Sequence, residues 1–240
     1  MDKLDVQVIT ELGSYGIPCS EDAAELLVCH LSLVIEKNKA VNLTRITDPE
    51  DGVTRHVVDS LLPLACAPVT ELAPKRFCDI GTGAGFPGIP LGIMTGASGL
   101  LLDSVGKKVA AVNEFIGALG LEGLQALHTR VEDLPKTHLG CQDMVAARAV
   151  AQSNVLLEYA SPLLRKGGLL VLEKANVGEV ELGNACRAAE ICGFSSPTQF
   201  AFELPRGLGH RTILVFEKTG NARIKLPRKA GTAKHRPLGE

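Results

Sequence analysis

The 240-residue sequence has no tryptophan, and only 4% of its residues are aromatic. Its seven cysteines are odd in number and include no CxxC pair. Several of them lie in apolar runs, where a free thiol is a small hydrophobic side chain. These absences argue against a disulfide framework and against a cysteine-based metal centre. We therefore expect reduced thiols in a cytoplasmic protein that binds no metal.

Long hydrophobic segments are also missing. The longest apolar run, residues 90–103, contains three glycines and is too short to cross a bilayer. The N-terminal segment MDKLDVQVITELG is acidic and has no apolar signal region. We therefore expect neither export nor membrane association.

The formal net charge of -2 conceals an uneven distribution of charge. Residues 221–240 contain six Lys or Arg and a single acid, Glu240, whereas the preceding part of the chain is acidic. Such a tail suits contact with a polyanion, although a charged terminus can also serve solubility alone. Pro227, Gly231 and Pro237 favour an extended arm over a regular helix.

Helical signals come first along the chain. Ser20 precedes Glu21 and Asp22, and Asp48 precedes Pro49, so Ser20 and Asp48 are both predicted to be helix N-caps. After Pro74 the pattern changes to short apolar strands that alternate with helices, which indicates a parallel sheet covered on both faces. The strands are predicted at 76–80, 99–103, 124–128, 144–149 and 169–172, and the helices at 105–120, 152–164 and 177–192.

The last two predicted strands, 199–204 and 212–216, are joined by a glycine-rich turn. A hairpin cannot join two parallel strands, so one of them must run antiparallel. The predicted fold is therefore α/β and Rossmann-like, with a mostly parallel seven-stranded sheet that includes one antiparallel strand. We divide the chain into an N-terminal helical extension (1–70), a core domain (71–220) and a basic tail (221–240).

A glycine cluster, DIGTGAGFPG (79–88), follows the first strand and opens the next helix. Glycines allow a sharp turn and the close approach of a ligand to backbone N–H groups. The spacing fits either a methyltransferase loop, from Gly81 through Gly83 and Gly85, or a dinucleotide fingerprint that begins at Gly83. Because the strand ends just before Gly81, the first register is favoured.

Asp103 ends the second strand, where an acid can meet the hydroxyls of a ribose held across the strand ends. The same residue could instead cap the helix at 105–120. The order of strand, glycine loop, helix, strand and Asp favours an adenosine-containing ligand, and both nicotinamide cofactors and S-adenosylmethionine contain one.

Several ordered motifs resemble the RsmG (GidB) family of bacterial small-subunit rRNA methyltransferases. They cover roughly residues 36–238 and are Asn42-Leu43-Thr44, Arg55-His56-x-x-Asp59-Ser60, DIGTGAGFPGIPL (79–91), LLDSVGKKV (101–109), TRVEDL (129–134), ARAVA (147–151), Gly209-His210-Arg211 and the tail PRKAGTAKHRPL (227–238). Two segments depart from the family pattern. EKNKAVNLT lacks the usual aromatic residue, and Glu173-Lys174-Ala175 replaces a common Leu-Lys-Gly.

The resemblance implies transfer of a methyl group from S-adenosyl-L-methionine to N7 of a guanine in the decoding-region hairpin loop of 16S rRNA. The partner would be 16S rRNA or a small-subunit particle. Together with the glycine-loop reasoning, it indicates these cofactor-binding residues: Gly81, Gly83, Phe86, Asp103, Val131, Glu132 and Arg148. Glu132 could also be an exposed loop acid, and Arg148 could form a structural ion pair.

Basic residues are the candidate RNA contacts, and we single out Arg55, His56, Lys107, Lys108, Arg211, Arg228 and Lys229. Arg55 and Asp59 lie four residues apart on a helix and could simply pair with each other. Guanine N7 loses no proton on methylation, so no general base is required and the sequence identifies no catalytic residue. A nicotinamide-dependent oxidoreductase and a non-catalytic RNA-binding protein with a cofactor fold remain as alternative functions.

Overall fold

The computed structural model describes residues 1–134 and 136–240 and contains a seven-stranded sheet in the order β3-β2-β1-β4-β5-β7-β6. The strands are β1 (Arg76–Ile80), β2 (Ser98–Asp103), β3 (Leu124–His128), β4 (Gln142–Arg148), β5 (Leu164–Lys174), β6 (Thr198–Leu204) and β7 (Gly209–Glu217). Within this sheet β7 runs antiparallel to both of its neighbours, β5 and β6, and the other four pairs of neighbouring strands are parallel. The predicted fold class is confirmed.

The helices are α1 (Lys3–Ser14), α2 (Glu21–Asn38), α3 (Pro49–Gly52), α4 (Asp59–Leu61), α5 (Ala67–Leu72), α6 (Gly88–Thr95), α7 (Gly106–Ala118), α8 (Ser153–Ala160), α9 (Glu179–Cys192) and α10 (Thr232–His235). A π-helical turn, Val53–Val58, connects α3 to α4. The two predicted caps are confirmed. The hydroxyl of Ser20 accepts from the N–H of Ala23, and the carboxylate of Asp48 accepts from the N–H of Asp51.

Alternating strand residues divide the interior into two apolar layers. On one face of the sheet, Phe77 and Val171 pack with buried residues of the N-terminal helices, among them Leu12 and Leu31. On the other face, residues such as Val145 pack against α8 and α9. The helical extension is thus part of the layer that covers the sheet.

Two features of the described residues concern membranes and metals. No helix among them combines the length and the apolar character that a bilayer span requires. Nor do they gather three or more His, Cys, Asp or Glu side chains in an arrangement suited to a metal ion.

The basic tail does not form the extended arm that its prolines and glycines predict. It folds back onto the core and contains the short helix α10, with Ala233 only 2% exposed. The guanidinium of Arg228 pairs with both carboxylate oxygens of Glu158, which is itself 2% exposed. Asn154 donates to the carbonyl of Leu238 at 3.1 Å. The tail is held against α8 by the burial of Ala233 and by the Arg228–Glu158 ion pair. The composition of the tail alone predicts neither contact.

Candidate active site

Two adjoining cavities open at the edge of the sheet where the parallel strands end. One has a volume of about 450 Å³ and the other of about 560 Å³. They share Gly81, Lys108 and Ala149, so a single elongated ligand can reach from one to the other. Their size and their place beyond the carboxyl ends of β1, β2 and β4 are typical of ligand sites in open α/β sheets.

The glycine loop lies between the cavities. β1 ends at Ile80, and the N–H of Gly81 donates to the carbonyl of Leu102 at 2.8 Å, which ties the loop to β2. Gly83 has φ +61°, and a Cβ placed there would meet nothing closer than the Gly81 carbonyl oxygen at 3.9 Å. The backbone at Gly83 therefore faces open space, which is the property that close approach of a cofactor requires.

Asp103 fastens the loop from the neighbouring strand. One of its oxygens accepts from the N–H of Gly83 at 3.0 Å and the other accepts from the N–H of Val105 at 2.8 Å. The N-cap of α7 is Val105, and Asp103 accepts from the N–H of that residue and not from an N–H of the helix, so the suggested helix cap is wrong. Asp103 also lines the larger cavity. Each carboxylate oxygen retains a lone pair for a further donor.

The far wall of the larger cavity contains two more of the predicted cofactor-binding residues. Val131 is buried, and Glu132 accepts a hydrogen bond from the N–H of Gly231 at 3.0 Å. Lys234 and His235 of α10 complete this wall. The C-terminal tail thus forms the wall of the larger cavity that lies away from the glycine loop.

Phe86 forms an aromatic stack in the smaller cavity. Its ring lies 4.7 Å from that of His56 at an interplanar angle of 11°, and the guanidinium carbon of Arg148 lies 5.6 Å from the Phe86 centroid. Burial lowers the pKa of His56 to about 3, and the charge of Arg148 adds to the effect. His56 is therefore neutral at physiological pH, with its Nε2 at 2.7 Å from the hydroxyl of Thr44.

A buried carboxylate, Asp59, joins two strands beside this stack. It accepts from Arg148 at 3.1 Å and from Arg211 at 2.7 Å. Arg148 also donates to the backbone carbonyl of Arg55 at 3.0 Å. Arg148 therefore forms an ion pair and lines the cavity at the same time. The suggested pairing of Arg55 with Asp59 is wrong, because the two strand arginines occupy both oxygens of Asp59.

The remaining predicted RNA contacts lie in different surroundings. Lys108 lines both cavities, while Lys107 is exposed on the outer side of α7. Lys229 is exposed on the tail, and Arg228 is held by Glu158. Of these surroundings, the smaller cavity has the largest excess of basic over acidic residues. Five basic residues line it (Arg55, Lys108, Arg148, Lys174, Arg211) against two acids, Asp59 and Glu173.

Sequence reasoning missed several residues that line the cavities, among them an acid, a tyrosine and a lysine. Glu173 lines the smaller one, and Tyr159 and Lys234 line the larger one. Glu173 gives a signal in the sequence, since it ends the apolar run LLVL as an isolated acid. The other two give none, because only the folding of the tail onto α8 brings Tyr159 and Lys234 together.

The family model for rRNA small subunit methyltransferase G matches residues 23–204. The chain belongs to this family. It is 36% identical over 231 residues to the ribosomal RNA small subunit methyltransferase G of Lactobacillus johnsonii, covering 95% of this chain and 97% of the relative. It is 38% identical over 226 residues to the protein of that name from Desulfitobacterium hafniense, with 93% and 92% covered.

The fold comparison agrees with this assignment. A crystal structure described as a putative sarcosine dimethylglycine methyltransferase from Galdieria sulphuraria superposes with a TM-score of 0.54 at 14% identity, over 72% of this chain and 88% of that one. Family and fold make the chain an S-adenosylmethionine-dependent rRNA methyltransferase. The comparisons support neither a nicotinamide-dependent oxidoreductase nor a non-catalytic RNA-binding protein.

Proposed function

We propose that this protein transfers the methyl group of S-adenosylmethionine to N7 of a guanine in the decoding-region hairpin loop of 16S rRNA, and that it does so in the bacterial cytoplasm. The observation that carries the proposal is the pair of joined cavities in a member of the family. One cavity is lined by acids suited to an adenosine, and the other is basic and contains a stacked aromatic pair.

The larger cavity would hold the adenosine part of the cofactor. Asp103 and Glu132 offer carboxylate oxygens to ribose hydroxyls and to the adenine amino group, and Val131 offers an apolar contact to the ring. Gly81 and Gly83 would let the cofactor run along the loop toward the smaller cavity. When bound there, S-adenosylmethionine supplies an electrophilic methyl group on a sulfonium centre.

The smaller cavity would receive the target base. Guanine N7 carries a lone pair and loses no proton during methylation, so the site has to orient the base and exclude water rather than remove a proton. His56, stacked on the buried Phe86, offers the base a flat aromatic ring, and burial keeps that ring uncharged by lowering its pKa to about 3. Arg148 and Arg211, fixed by Asp59, offer N–H donors to the O6 atom or to nearby phosphates.

Around the opening, exposed or half-buried basic residues would contact the phosphates of the RNA. Lys108 and Arg55 line the smaller cavity, Lys107 is exposed on the outer side of α7, and Lys229 extends the positive charge along the tail. Contacts of this kind set affinity and its dependence on salt, rather than the choice of base.

Replacement of the acceptor atom tests the proposal. We expect methyl transfer from labelled S-adenosylmethionine to a 16S loop fragment that contains guanosine, and none when that position is 7-deazaguanosine, which has a carbon in place of N7. Equal transfer to both RNAs would contradict an N7 target. The same assay with protein-free 16S rRNA and with the assembled small subunit identifies the physiological form of the substrate.

A further inference from the structure

His30 is a buried polar residue of α2 that lies behind the glycine loop rather than in either cavity. Its side chain is 0% exposed, and its ring lies 4.5 Å from the ring of Phe86 and 5.8 Å from that of Phe115. Burial lowers the pKa of His30 to about 4, so the ring is neutral at physiological pH and has one N–H donor. Because an apolar side chain would cost less to bury here, that N–H points to a specific hydrogen-bonding role.

The partner of this donor is the backbone of the glycine loop. The Nε2 atom of His30 lies 3.1 Å from the carbonyl oxygen of Ala84. A carbonyl oxygen can only accept, so Nε2 carries the proton and donates. No other donor among the described residues binds this carbonyl, and Ala84 is only 4% exposed. His30 thus satisfies a buried polar group of the loop that would otherwise be unpaired.

The loop also lies directly against the imidazole. A Cβ on Gly85 would be 3.1 Å from Nε2 of His30, so a larger residue would push the loop away from the ring. Gly85 has φ +93°, which also favours glycine. Asp103 fixes the loop at the N–H of Gly83, and His30 fixes it at Ala84 and Gly85.

We infer that His30 is a positioning residue for cofactor binding, and that its N–H holds the glycine loop in the conformation that receives S-adenosylmethionine. The inference rests on the proposed path of the cofactor along Gly81 and Gly83, because the conformation of the loop decides that path. It also gives the N-terminal extension a part in the site, since His30 lies in α2, 54 positions before Ala84.

The composition of the loop explains why such support matters. Gly81, Gly83 and Gly85 all have positive φ. Glycine loses more conformational freedom on ordering than any other residue. A loop that is ordered before the ligand arrives binds it more tightly, because the free energy of ordering is not subtracted from that of binding. Loss of the His30 donor should therefore weaken cofactor binding.

Two substitutions of similar size separate the donor from the rest of the side chain. His30→Leu removes the donor, and His30→Gln keeps an N–H at a comparable reach, while both remove the aromatic ring. In calorimetry we expect His30→Leu to bind S-adenosylhomocysteine about tenfold or more weakly than wild type, and His30→Gln to stay within about threefold. Equal affinity of the two variants, whether high or low, would overturn the inference.

Leu31→Ala is the control for a general loss of stability in α2. Leu31 is 1% exposed and packs against Gly52, where an added Cβ would be 2.9 Å from its Cδ1. This variant should bind S-adenosylhomocysteine as tightly as wild type at a temperature at which it is folded. Weakening equal to that of His30→Leu would show that binding follows the stability of the helix, and would overturn the inference.

Steady-state kinetics give a second readout that a merely structural role would not move. His30→Leu should act mainly on the KM for S-adenosylmethionine, raising it by about tenfold or more, and less on kcat at saturating cofactor. A lower kcat with an unchanged KM would overturn the inference. Absence of transfer by wild type to the guanosine RNA would instead refute the proposed function, while calorimetry would still test the role of His30.

Discussion

Gly83 is the residue at which the backbone most directly limits ligand access. A Cβ there would project into open space beside the loop, where the cofactor is proposed to lie. We expect Gly83→Ala to weaken S-adenosylhomocysteine binding by at least tenfold, measured by calorimetry. Gly120→Ala is the matched control. Gly120 has φ +65°, close to the +61° of Gly83, and its added Cβ would also meet no neighbour. Equal affinity of the two variants would show that the loop does not touch the cofactor.

Asp79, at the start of the same loop, makes stability depend on pH. Burial raises its folded-state pKa from 3.8 to about 6, while its carboxylate accepts from the N–H of Gly88. The unfolded chain therefore releases this proton at lower pH than the folded chain, and stability is lost as pH rises from about 4 to 6. The loss is up to about 3 kcal/mol.

Asp79→Asn removes this titration but keeps an acceptor for Gly88. The free energy of unfolding in urea, measured from pH 4 to pH 7, should shift progressively in favour of the variant as pH rises. Parallel curves for variant and wild type would mean that Asp79 titrates normally in the folded protein.

For single residues, the sequence predicted a place in the site correctly where the residue follows the end of a parallel strand. Gly81, Gly83 and Asp103 come together because parallel strands end at one edge of the sheet. Arg55 and Asp59 were misread because the partners of Asp59 lie on β4 and β7, far along the chain. Residue spacing within one helix cannot show that arginines on two strands will pair with Asp59 in place of Arg55.

The tail is the element whose structure changes its expected role most. From its charge, its prolines and its glycine, the tail is predicted to be an extended arm suited to contact with a polyanion. In the folded protein Gly231, Lys234 and His235 instead line the larger cavity, and Arg228 neutralises the buried Glu158. Truncation after Gly220 should therefore weaken S-adenosylhomocysteine binding and lower the melting temperature, as well as weaken RNA binding.

The double variant Lys225→Gln and Lys229→Gln separates these effects, since both lysines are exposed. It should retain cofactor affinity and stability. Its affinity for the RNA fragment should depend less steeply on salt, by about one counterion for each phosphate that the two lysines no longer neutralise. Normal cofactor binding by the truncated protein would show that the tail residues lining the larger cavity are not needed to bind the cofactor.

Element boundaries were predicted best where turn residues directly flank the strand. The prediction for β3 matches the structure, because its flanking turns are marked by Gly123 and Thr129. β5 begins five residues earlier than predicted, at Leu164. Arg165 and Lys166 are exposed at its start and hide the apolar pattern. Hydrophobic period alone cannot detect strand residues that extend beyond the layers that cover the sheet.

For the molecule as a whole, the N-terminal extension and the sheet share one apolar layer. Leu31 of α2 is 1% exposed and belongs to the same cluster as Phe77 of β1. We expect Leu31→Ala to lower the free energy of unfolding by about 2–5 kcal/mol in one cooperative transition. Val6→Ala, at a position 44% exposed, should change it little. Two separate transitions in urea, only one of them shifted by Leu31→Ala, would show that the extension folds independently.

The antiparallel direction of β7 has a consequence for the timing of synthesis. Because β7 runs against its neighbours, its first residues lie where the parallel strands end, and Arg211 there meets Asp59 from 152 positions earlier. The glycine loop is translated in the first half of the chain, but the proposed base-binding side awaits β7, the last strand. Such long-range contacts form late in folding. A nascent chain therefore carries the cofactor motif long before it can methylate RNA, and activity begins only after nearly the whole chain has been made.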